Sequence, residues 1–69
     1  MIIVFELPLF DKNQAAELLQ ELNKHFKAEK INIDNADPTA VLRVVNITVS
    51  EAVLITFLAD KGIAVKSLQ

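Results

Sequence analysis

Few side chains in this sequence could do chemistry, and the absences narrow the choice further. There is no cysteine, which removes thiolate nucleophiles, soft-metal thiolate sites and disulfides together. His25 is the single histidine. One imidazole could ligate a metal ion, but Lys24 and Lys27 flank it and no second ligand lies close in sequence. It reads better as a surface residue favoured by the C-terminal end of a helix, and it stays the weak metal candidate of the chain. Asn32, Asp34, Asn35 and Asp37 gather oxygen atoms of the kind that suit Ca²⁺ or Mg²⁺. Their spacing matches no calcium loop and no glycine supplies the sharp turn, so turn chemistry explains them without an ion. Ser50 and Ser67 read as a helix cap and a strand residue, not as nucleophiles. The segment from Leu7 to Asn13 has neither glycine nor arginine with which to cradle a phosphate. The expectation is a protein that is not an enzyme and carries no cofactor.

The elements that would position these residues follow from periodicity. Met1 to Leu7 is apolar on both faces and rich in β-branched residues, as a central strand should be, and Pro8 ends it. Asp11 or Asn13 can cap a helix from Gln14 to Phe26, where Ala15, Leu18, Leu19, Leu22 and Phe26 recur in steps of three and four. Lys30 to Asp34 alternates, with Ile31 and Ile33 on one side and the polar residues on the other. The cluster from Asn35 to Thr39 is a turn, and Ala40 to Ile47 is a β-branched strand interrupted on one face by Arg43. Thr48 or Ser50 then caps a second helix with Glu51 in its first turn, and Gly62 stops it. Ile63 to Leu68 is a short last strand. The order β-α-β-β-α-β predicts an α+β domain of the ferredoxin-like kind. Its sheet would be antiparallel and four-stranded, with two helices on one face and the first and third strands at the centre.

A chain of 69 residues leaves room for one such domain. Small domains bury a smaller share of their surface, so without disulfides the core must come from abundant apolar residues, and 52% of this sequence is hydrophobic. The net charge of −2 and the scattered lysines give no footprint for nucleic acid. No tryptophan or tyrosine is available to stack on bases from an open sheet face. No apolar run approaches the ~20 residues of a membrane span, and the first residues have no basic flank or cleavage site of a signal peptide. The expected location is the cytoplasm, which makes Asn46-Ile47-Thr48 a connection and not a glycosylation site.

The stretch V-S-E-A-V-L-I-T-F-L-A-D-K-G-I-A-V-K-S-L, from Val49 to Leu68, resembles the second half of a heavy-metal-associated domain. That family includes the copper chaperones and the N-terminal domains of metal-pumping ATPases. The opening V-F-E-L-P and the following A-A-E-L-L-Q-E-L fit its first strand and helix, so the resemblance covers nearly the whole chain. It rests on pattern and length. In that family the first loop carries M-x-C-x-x-C, whose two thiolates hold Cu(I) or Zn(II). Counting back from the helix leucines, the cysteine positions fall near Pro8 and Asp11, and neither side chain supplies a thiolate. No metal ligand of the family carries over.

What remains is a surplus of apolar residues. If Glu6, Arg43 and Lys66 point to solvent, alternation puts Ile2, Val4, Val41, Val45, Ala64 and Leu68 on the same open face of the sheet. Val53, Ile55 and Phe57 likewise exceed what one stripe of the second helix can bury. The interface candidates are therefore Ile2, Val4, Val41, Arg43, Val45 and Val53. The leading reading is a binding module that acts through association with a protein or with itself. The alternatives are a metal-binding protein using non-cysteine ligands, and a small-molecule regulatory domain of the ACT type with its ligand at a subunit interface or near the first loop.

Overall fold

The computed structural model describes residues 2–8, 11–36 and 39–68; Met1, Leu9, Phe10, Asp37, Pro38 and Gln69 lie outside it. The chain runs β1 (Ile2–Pro8), α1 (Lys12–His25), β2 (Ala28–Ala36), β3 (Thr39–Ile47), α2 (Glu51–Asp60) and β4 (Lys66–Ser67). The strands form one four-stranded sheet in the order β2-β3-β1-β4, and all three neighbouring pairs are antiparallel. The protein is thus an α+β fold of a four-stranded antiparallel sheet and two helices, with β1 and β3 in the middle of the sheet.

Alternation along the central strands sorts the two faces. Ile3, Phe5 and Leu7 of β1 and Ala40, Leu42 and Val44 of β3 are buried, together with Leu18 and Leu22 of α1 and Leu54 and Leu58 of α2. These residues form one apolar core between the sheet and both helices, aliphatic but for Phe5, and among the described residues no polar or charged side chain is buried in it. Burial of a side chain such as Leu42 contributes about 1.5–3 kcal/mol, which is how a small chain without disulfides holds together.

The helix ends are set locally. The Asp11 carboxylate accepts from the Gln14 backbone N–H at 2.8 Å, and the Gln14 side chain accepts from the Asp11 N–H at 3.2 Å, a reciprocal cap that starts α1 at Lys12. Ser50 caps α2 by accepting from the Val53 N–H. At the other end of α2, Gly62 adopts φ +80°, its N–H reaches the Ala59 carbonyl, and the Ile63 N–H reaches that of Leu58. This is a Schellman stop, and it turns Ile63 back onto the core beside Leu58.

All four strands differ from their sequence-predicted bounds. β3 starts one residue early, at Thr39, so that the expected turn loses Thr39 to β3 and Asn35 and Ala36 to β2. β1 continues to Pro8, which pairs with Thr39 as the last residue of the ladder. β2 is nine residues long because its pairing with β3 extends on both sides of the alternating segment. The last strand shrinks to Lys66 and Ser67, opposite Glu6 and Phe5. Ile63 and Val65 pack against the core instead of lengthening the ladder, so that connection is held by its side chains.

One irregularity matters for the faces. Asn46 has φ +52°, a left-handed conformation that Asn tolerates better than most residues. Up to Val45 the odd residues of β3 face outward, yet Ile47 is buried. The turn of the backbone at Asn46 resets the alternation and delivers Ile47 to the core.

Candidate functional site

The face of the sheet opposite the helices carries most of the candidate residues. On β1 it presents Ile2, Val4 and Glu6, and on β3 Val41, Arg43 and Val45. The register sets them side by side: Ile2 with Val45, Val4 with Arg43, and Glu6 with Val41. Ile2 is 52% exposed and Leu68 46%, while Val4, Val41 and Val45 are half-buried by their neighbours. The Leu68 N–H bonds to the Val4 carbonyl at 2.9 Å, which keeps that leucine beside the apolar band.

Charges of both signs stand within and beside the band. Arg43 reaches from β3 to Asp34 on β2, with Nη1 and Oδ2 2.6 Å apart, and Asn32 donates to the other oxygen of the same carboxylate at 3.2 Å. Glu6 and Lys66 lie opposite each other across β1 and β4. The Arg43–Asp34 pair is about half exposed on both sides, so it orients the guanidinium more than it stabilises the fold.

Val53 does not join this surface. It lies on α2, 44% exposed, and lines a shallow groove with Phe26, Thr56, Phe57 and Asp60, while Ile55, 39% exposed, points another way. The interface candidates therefore divide between the open sheet face and the helical side of the molecule.

The metal candidates are also separated. Asp11 is committed to capping α1, and Pro8 is exposed at the end of β1. His25 closes the same helix fourteen residues further on, a distance of about 20 Å along its axis. No group of three potential ligands occurs among the described residues. Asp34 and Asn32 hold each other and Arg43, and Asp37 lies outside the described residues.

His25 instead belongs to a seam between the helices that periodicity alone did not reveal. Its Nε2 is 3.2 Å from the Glu21 carboxylate, and Lys61 Nζ is 3.6 Å from the same oxygen. The Lys61 ammonium also lies 5.0 Å from the centre of the Phe57 ring, which meets His25 at 5.4 Å and Phe26 edge-on at 5.0 Å. Lys61 above all holds the Glu21 carboxyl below its ordinary range; burial, next in size, opposes it, and His25 and Lys24 add lesser lowering effects. The sequence signal was the Glu21–His25 spacing of four; the approach of Lys61 depends on how the two helices pack.

A shallow cleft of about 840 Å³ opens beside the end of β1, lined by Pro8, Gln14, Glu17, Lys61, Gly62 and Ile63 among others. Its polar groups are exposed, and among the described residues none converges as a nucleophile with a base. No helix among the described residues is long and apolar enough to cross a membrane. Comparison with protein-family models, curated proteins and solved structures finds no match to this chain.

Proposed function

We propose that this protein is a cytoplasmic, non-enzymatic interaction module. It uses a ferredoxin-like scaffold similar to the heavy-metal-associated domains, without their thiolate pair, and it docks a protein on the open face of its sheet. The strand order with β1 and β3 central supports the scaffold reading. The single observation that carries the functional reading is the aliphatic band of Ile2, Val4, Val41, Val45 and Leu68 on a face that neither helix covers. Apolar side chains gathered on one uncovered face in this way mark interaction sites. The fitting partner is a protein element with an aliphatic stripe and charges of both signs at its margins, matching Arg43, Asp34, Glu6 and Lys66.

The test compares immobilised protein with its Ile2→Lys and Val4→Lys variants, both on β1 and pointing away from the core. Thermal melting should change little, while a partner retained by the original chain should be lost to both variants. Equal retention by equally stable variants overturns the reading.

The cleft beside Pro8 and Gly62 favours one second reading, a regulatory domain for a small molecule in the manner of ACT domains. A melting-temperature screen of amino acids and nucleotides decides it: no shift at millimolar ligand removes it.

A further inference from the structure

The two edges of the sheet are built differently. Edge strands expose unpaired N–H and C=O groups, and proteins blunt them by shortness, charged side chains, proline, bulges or cover; of these β2 carries only charges, and Lys30 and Asp34 are of opposite sign. β4 is blunt, since it is two residues long. β2 is nine residues long, contains neither proline nor glycine, and among the described residues no strand pairs with it on its outer side.

The sequence of β2 is self-complementary about its middle residue. It reads Ala28-Glu29-Lys30-Ile31-Asn32-Ile33-Asp34-Asn35-Ala36, with Asn32 at the centre. In an antiparallel strand pair the outward N–H and C=O groups belong to alternate residues, so two identical strands pair only with residues of like parity opposite each other. The two-fold axis must then pass through a residue. With the axis at Asn32, Lys30 faces the partner's Asp34, Ile31 faces the partner's Ile33, and Asn32 faces its own counterpart. Shifting the axis to Ile31 sets Lys30 against Asn32 and Asp34 against Ala28. Shifting it to Ile33 sets Asp34 against Asn32. Only the central register forms both charge pairs and both isoleucine pairs at once.

We propose that a second copy of this chain pairs with β2 edge to edge, antiparallel and centred on Asn32, to form one sheet of eight strands, four from each copy. The monomer is ready for it. Lys30 and Asp34 are exposed on the open face, and among the described residues Lys30 has no ion-pair partner. Arg43 and Asn32 hold the Asp34 carboxylate in place on that face. On the helical face Ile31 and Ile33 pack against the core yet stay half-exposed, and the partner's isoleucines cover what remains. The two-fold axis is normal to the sheet, so both open faces point the same way. The two readings share Asp34 and Arg43 but are tested apart: Ile2→Lys and Val4→Lys on β1 read the docking face, whereas K30D and D34K read self-association through β2, so either can fail without the other.

Sedimentation of the full chain over a range of concentrations tests the dimer, and a charge exchange tests its register. The unaltered chain should show a reversible monomer–dimer equilibrium. K30D and D34K should each weaken it by roughly tenfold or more, because each sets like charges opposite one another twice. An equimolar mixture of the two variants should associate more tightly than either alone, since both cross-strand pairs are then opposite in sign. I2K should leave the dimer unchanged. If D34K, which places a second cation beside Arg43, fails to fold by circular dichroism, D34K/R43E takes its place with that pair reversed. A strict monomer up to about 1 mM, or a mixture no tighter than its components, overturns the proposal.

Discussion

The two faces of the sheet are made from the same strands and largely the same residue types, yet they do different work. Leu42 and Val44 are fully buried under the helices, whereas Val41 and Val45, one step along the same strand, remain half-exposed. The helical face is uniformly apolar on the two central strands. The open face interrupts its aliphatics with Arg43, Glu6 and Lys66. Apolar content alone therefore does not say which face is the core. The position of the charges does, because a charge sealed between helix and sheet would lose its hydration without a partner.

The largest effect that sharpens this contrast is Leu42→Ala, expected to cost about 2–5 kcal/mol in urea unfolding, enough to threaten a domain of this size. A loss below about 1 kcal/mol would mean that the helices do not seal that face. Next comes a pair of neighbours. Val44→Thr buries a hydroxyl and should cost about 1–3 kcal/mol, while Val45→Thr should stay within about 0.5 kcal/mol. Equal costs would break the distinction between the faces. At the point where β3 resets its alternation, Asn46→Ala should lose about 1 kcal/mol and Asn46→Gly less, because only glycine takes the left-handed conformation freely.

The smallest effect lies on the outer surface, at Glu21. Its folded-state carboxyl titrates below the unfolded value, mainly because of Lys61. The contribution is present above the unfolded value and is lost as pH falls through the lowered folded one. Melting temperatures at pH 7 and pH 3 should therefore fall slightly less between those conditions for Glu21→Gln than for the unaltered chain. An identical acid response would show that the seam adds nothing.

Much of this arrangement could be read from the sequence, for a physical reason. Arg43, Glu6 and Lys66 mark the solvent side, and a period of two carries that information to every other residue of their strands. The same logic named Ile2, Val4, Val41 and Val45 as a group, and the register places them together. It could not place Val53 with them, because a strand face and a helix face are related only through packing. Asn46 was illegible for a different reason. Its conformation is allowed to asparagine but not demanded by it, so nothing in Asn46-Ile47 announces the reset. Ile63 and Val65 looked like strand residues because core contacts and ladder pairing favour the same side chains. The Glu21–Lys61 contact joins residues forty positions apart and waits on the approach of the helices.

The pairing of β1 with β3 has a consequence for how the chain comes to be folded. Ile2 meets Val45, so β1 finds its neighbour only after about 40 further residues have emerged. The β2–β3 hairpin can close within itself at once. During that interval an apolar strand stands without its ladder partner, the kind of exposed segment that is prone to aggregate.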